Sequence, residues 1–210
     1  MSLNLQISRT LVKNDARMNT SHRTVSKTAM ESEWEEIKAA KLNPAAFRPL
    51  YARYYESIFR YIYKRTTDES LSADLCSQVF LKAMKKIEGY AYQGVPFSAW
   101  LFRIASNEVA QHYRSTQKNR VVSVEDANLS NMMEEIQEHS SEDNRNYLLA
   151  ALEDLKQKDL EIVEMRFFEQ RAFAEIADIL DITESNAKVR TYRVLERLKK
   201  IILHKMETKQ

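Results

Sequence analysis

Apolar residues recur along this chain at intervals of three and four, which gathers them on one side of an α-helix. Phe47, Leu50, Tyr51, Tyr54, Ile58, Tyr61 and Ile62 form a first such stripe. Asn43 stands where it can cap a helix that Pro44 begins. Asp68-Glu69-Ser70 breaks the pattern, and a second stripe follows with Leu75, Val79, Phe80, Ala83, Met84 and Ile87. Gly89 ends that helix, and Gly94 and Pro96 set a loop rimmed by Tyr90 and Tyr92. A third helix is predicted from about Phe97 to Arg114, with Trp100, Leu101, Ile104 and Ala105 inward. Together these segments read as a helical bundle from Trp34 to Ser115.

Residues 117–145 lose the apolar period and carry Glu125, Asp126, Glu134, Glu135, Glu138, Glu142 and Asp143. They read as an acidic linker with a short helix near Met132–Ile136. Patterning returns in four segments, Tyr147–Leu155, Leu160–Phe168, Phe173–Leu180 and Glu184–Lys205. The last two are short helices hinged at Asp181-Ile182-Thr183. Phe173, Ile176, Ala177 and Leu180 make the keel of the first. Thr183 is a suitable N-cap for the second, whose stripe is Ala187, Thr191, Val194, Leu198 and Ile201. Asn186, Arg190, Arg193 and Arg197 flank that stripe on one side, and Lys188, Tyr192 and Lys199 on the other. An apolar keel with basic flanks, pinned across a partner helix, is how a helix-turn-helix offers its second helix to the DNA major groove.

Composition narrows the class without changing it. Only 2 Gly and 3 Pro among 210 residues, with 44% hydrophobic and 30% charged, suit an all-α protein and argue against hairpin-rich β folds. The net charge of +2 is not diagnostic, but both ends are basic and the middle is acidic. The single Cys76 cannot form an internal disulfide, which fits a reducing cytoplasm, and its apolar neighbours mark it as a buried, inert thiol. No apolar run reaches the roughly 18–20 residues that span a bilayer, so no membrane insertion is expected. The four His are scattered, with no zinc-site spacing. Residues 1–30 read as a disordered basic tail, or as a stretch preceding a translation start at Met30. The expected organisation is two small helical domains, 31–116 and 146–210, joined by the acidic linker 117–145.

Taken together, the blocks resemble the extracytoplasmic-function group of the sigma-70 family, bacterial initiation factors for RNA polymerase. Phe47-Arg48-Pro49-Leu50-Tyr51 and Tyr54-Tyr55 look like the family's opening helix. The run from Ala73 to Ala83 looks like its polymerase-binding segment, and that from Phe97 to Asn107 like its promoter-melting segment. Glu175 to Ile182, followed by Lys188-Val189-Arg190, looks like its helix-turn-helix. The order and spacing of all four pieces carry the resemblance. The chain departs from the family pattern at Ser77-Gln78 (usually Gln-Glu), at Gln111 (commonly Asp), at Asp181 (usually Gly), and at Ser185-Asn186-Ala187-Lys188 (usually Gly-Thr-Val-Lys).

The resemblance implies the site residues. Asp74, Ser77, Gln78, Lys82 and Lys85 would bind core polymerase at the β′ clamp helices, with the β flap as a further contact. Tyr90, Tyr92, Asn107, Gln111 and Arg114 would recognise and melt the −10 element, the two tyrosines serving either as stacking platforms or as packing. Ser185, Asn186, Lys188, Val189 and Arg190 would read the −35 element, since Arg grips guanine and Asn adenine with two bonds each, while Arg193 and Lys199 hold phosphate. The linker is either a plain tether or an extended anionic strand, with Glu134, Glu135 and Glu138, lying in the polymerase channel. An anti-sigma factor is a further implied partner; no cofactor, metal or catalytic role is implied. The competing reading is a helix-turn-helix regulator acting without polymerase. An enzyme of nucleic-acid processing is disfavoured because no catalytic carboxylate pair, phosphate loop or nucleophile arrangement stands out.

Overall fold

Local chemistry sets the helix boundaries. In a computed structural model, which describes residues 27–92, 94–116, 126–136 and 142–207, Asn43 Oδ1 accepts from the Ala45 amide, opening a 3₁₀ turn at Pro44–Phe47. That turn leads into a long helix rather than starting one. Asp68 Oδ1 accepts from the Leu71 amide, and Thr183 Oγ1 from the Asn186 amide, so both act as N-caps. Thr67 and Asp181 end their helices with left-handed backbone, φ 54° and 57°. Asp takes that conformation at modest cost, so the turn read for Gly is made by Asp181.

Among the described residues the structure is helical, without strands. The first block comprises α1 (Lys27–Leu42), α2 (Arg48–Thr66), α3 (Glu69–Lys86) and α4 (Phe97–Thr116). α2, α3 and α4 pack pairwise around Leu50, Ile58, Ile62, Cys76, Val79, Leu101 and Ala105, all at most 4% exposed. α1 covers one end through Met30, Ile37 and Ala40. Its buried Glu33 accepts from Arg53 (2.9 Å) and the Tyr54 hydroxyl (2.5 Å), so its charge is not stranded. Two residues of the expected stripes lie outside the core: Met84 is 39% exposed and Tyr51 42%. Cys76, Val79, Phe80 and Ala83 already fill the space between α2 and α4, and Met84 falls past its edge.

The second block contains α5 (Asp126–Ile136), α6 (Glu142–Glu153), α7 (Gln157–Val163), a π turn at Glu164–Phe168, α8 (Phe173–Leu180) and α9 (Glu184–Glu207). The acidic linker thus differs from a tether over 126–136. It forms a helix longer than expected, and Leu129, Met132, Met133 and Ile136, spaced i, i+3, i+4 and i+7, are buried against the π turn, α6 and α9. Glu138 and much of the 1–30 tail lie outside the described residues. The two blocks touch along one seam, where α4 packs on α8.

Candidate nucleic-acid interface

Three exposed surfaces carry the residues singled out from the sequence. The first is the leading half of α9. Ala187, Thr191, Val194 and Leu198 turn inward, each at most 1% exposed, which fixes the outward direction of the rest. Ser185, Asn186, Val189, Arg190 and Arg193 therefore share an exposed face. Arg190 and Arg193 form no ion pair among the described residues. Val189 puts an apolar side chain, 43% exposed, among these polar groups. Lys188 sits at the edge, half-buried, 3.3 Å from Glu184 and over the Phe173 ring. Lys199 does not join this face: its ammonium donates to the Ile136 carbonyl at 2.9 Å and so ties α9 to the end of α5.

The second surface is α4 with the loop before it. Asn107, Gln111 and Arg114 are exposed at i, i+4 and i+7, one face of one helix. Tyr90 is differently placed. Its ring lies 4.9 Å from Trp100, 5.3 Å from Phe97 and 6.3 Å from Trp34, and its carbonyl accepts from Lys41 at 2.5 Å. Burial, and then the charge of Glu33, push its phenol up to about 12. Packing is the role this geometry gives Tyr90. Tyr92 rests half-buried on Trp34, ring centroids 5.8 Å apart. Beside this cluster an open concavity is lined by Lys85, Lys86, Glu88, Gly89, Tyr90 and Trp100. Lys86 and Trp100 were not among the expected site residues. The Lys85-Lys86 doublet just before the loop was the available signal.

The third surface is the outer face of α3. Asp74, Ser77, Gln78 and Lys85 are exposed there, together with Leu81 at 53%. Lys82 belongs to it only in part, because its ammonium lies 2.6 Å from both carboxylate oxygens of the buried Glu108 on α4. That bridge pins α3 to α4.

Two family models match the chain in succession: sigma-70 region 2 over residues 50–119 and sigma-70, region 4 over residues 145–198. The chain belongs to the sigma-70 family. Within the family its relatives are of the extracytoplasmic-function group. It is 32% identical to the ECF RNA polymerase sigma factor BldN of Streptomyces coelicolor over 171 residues, 80% of this chain and 65% of that protein, so it spans just under two thirds of that relative. It is 24% identical to the sigma factor SigM of Bacillus subtilis over 71% of this chain and 91% of SigM. The solved structure of CnrH in complex with the cytosolic domain of CnrY shares the fold, with a TM-score of 0.51 at 18% identity, covering 80% of this chain and 94% of that one. Among the described residues no helix is long and apolar enough to cross a membrane, and no cluster of metal-ligating residues forms.

Proposed function

We propose that this sigma factor binds core RNA polymerase and directs it to specific promoters in the bacterial cytoplasm. The domain covering 31–116 docks α3 on the β′ clamp helices through Asp74, Ser77, Gln78 and Lys85, while Lys82 acts mainly as the bridge to Glu108. The same domain opens the −10 element. Asn107, Gln111 and Arg114 line the strand path, and the concavity beside the Tyr90 packing cluster, lined by Lys85, Lys86 and Trp100, receives an unstacked base with the lysines neutralising phosphate. The domain covering 146–210 reads the −35 element with Ser185, Asn186, Lys188, Val189, Arg190 and Arg193, and reaches the β flap. Val189 is suited to a thymine methyl group. An anti-sigma factor that covers these surfaces is the natural inhibitory partner.

The observation that supports this reading most is the exposed face of α9, presented behind a capped turn in a chain whose other block offers a separate exposed polar face on α3. Two weak DNA contacts joined through one polymerase supply avidity that neither block has alone. Runoff transcription with core polymerase tests it: defined start sites are expected only when the chain is present. Tight, operator-like DNA binding with no effect on polymerase would instead make it a free-standing helix-turn-helix regulator.

A further inference from the structure

Residues 27–49 lie outside both matched regions, yet α1 is fastened to the first block in a fixed orientation. Met30, Glu33, Ile37 and Ala40 recur at intervals of three and four and are buried, so one stripe of α1 faces inward. Arg53 of α2 donates to Glu33 (2.9 Å) and Glu36 (2.8 Å), which fixes the rotation of α1 about its axis. Trp34 and Lys41, seven residues apart and bordering that stripe, therefore come to one side, where the loop after α3 passes. The Lys41 ammonium donates to the Tyr90 carbonyl at 2.5 Å and lies 5.1 Å from the centre of the Trp34 ring. The Trp34 ring backs both Tyr90 and Tyr92, at 6.3 Å and 5.8 Å.

The loop has little else to hold it. Among the described residues, 90–92 and 94–96 belong to no helix or strand, and Gly94 turns through left-handed backbone, φ 71°. Among them, too, the bond from Lys41 is the one hydrogen bond that reaches the loop from a distant element. Backbone without regular pairing keeps one shape only where tertiary contacts hold it. Tyr90 is also a wall of the concavity that Lys85, Lys86 and Trp100 line, whereas Trp34 and Lys41 do not line it. They stand behind the wall.

We propose that α1 positions the −10 reader: Lys41, seated on Trp34, sets the shape of the loop, and through Tyr90 the fit of the unstacked base, without touching DNA. Lys41 is thus a positioning residue. The proposal rests on the sigma-factor reading above and deepens it. A site discriminates between bases by how well its groups meet their edges, and a wall free to move accommodates the wrong base as readily as the right one. Loosening the loop therefore costs selectivity at the −10 element rather than overall affinity.

Two variants test it. Lys41→Met keeps an apolar stem over Trp34 and removes the donor, while Lys41→Arg keeps both donor and charge. Lys41 is only half-buried, so both should fold, and an unaltered helical circular-dichroism signal checks it. The measurement is single-round transcription by holoenzyme, on a promoter from which the parent initiates and on that promoter with each −10 base replaced in turn. Lys41→Met is expected to lower the preference for the favoured base at one −10 position about tenfold, the scale of one well-formed base contact. Core binding and −35 selectivity should stay as in the parent, and Lys41→Arg should restore most of the −10 preference. An unaltered base preference in Lys41→Met, even with a lowered melting temperature, would leave Lys41 a purely structural contact and overturn the proposal. An equal loss on every −10 sequence, with a salt dependence smaller by about one phosphate contact, would make Lys41 a phosphate ligand and overturn it too. A parent that yields no defined start sites with core polymerase would instead overturn the sigma-factor reading.

Discussion

At the residue scale, exposure separates side chains available to DNA from those already committed. Arg190 has no partner among the described residues and lies on the open face of α9. Arg190→Ala is expected to weaken promoter binding by about 1–3 kcal/mol and to relax selectivity at one base pair, with no change in melting temperature. Competition binding of holoenzyme to promoter variants checks this. Lys199→Ala should behave in the opposite way, because its ammonium serves the Ile136 carbonyl: stability falls and DNA selectivity is retained. Cys76 has no exposed surface, and burial pushes its thiol up to about 11. Thiol reagents at pH 8 should therefore modify it only on unfolding, which a timed mass-spectrometric assay with and without denaturant will show.

At the element scale, the segment that departs most from its composition is α5. Its acidic residues suggest a solvated linker, yet Leu129, Met132, Met133 and Ile136 are buried. Their helical spacing was present in the sequence and was outweighed by the surrounding charge. Met132 is 0% exposed, so Met132→Ala should destabilise the second block by about 2–5 kcal/mol in a denaturant titration; a plain tether would lose nothing. The helix-turn-helix was far more legible. The Thr183 cap, the inward Ala187 and the outward Arg190 all follow from local rules that need no knowledge of the rest of the chain. Tyr90 was not legible in this way. Its role as packing depends on Trp34, more than fifty residues earlier, arriving against the same loop.

At the scale of the whole molecule, the seam should respond to acid. Arg65 and Arg171 hold the Glu169 carboxyl below its ordinary value of 4.5, against the effect of burial, which by itself raises it. A carboxyl depressed on folding contributes stability that is complete above its unfolded value and is lost as pH falls through the folded one. Arg65 keeps its charge throughout: burial opposes it, but the nearby carboxylates, Glu169 foremost, raise its pKa. The contribution of this contact to stability is thus expected to be constant between pH 6 and 8 and to be lost below the ordinary glutamate range. The melting temperature, followed against pH, measures it. Glu169→Gln should lower the melting temperature at neutral pH and remove part of the acid response.

The all-α class, the Thr183 cap and its turn, and the outward face of α9 follow from the sequence by itself, because helical period and cap chemistry act over a few residues. The structure alone decided where the long polar side chains go. Lys82 meets Glu108, Arg65 meets Glu164 and Glu169, and Arg103 meets the end of α8, each across more than twenty residues of chain. A charged residue at a helix surface looks the same in the sequence whether it faces water, nucleic acid or another helix. Only the packing of the blocks distinguishes these cases, because it is packing that removes water from some of those charges and leaves the others in it.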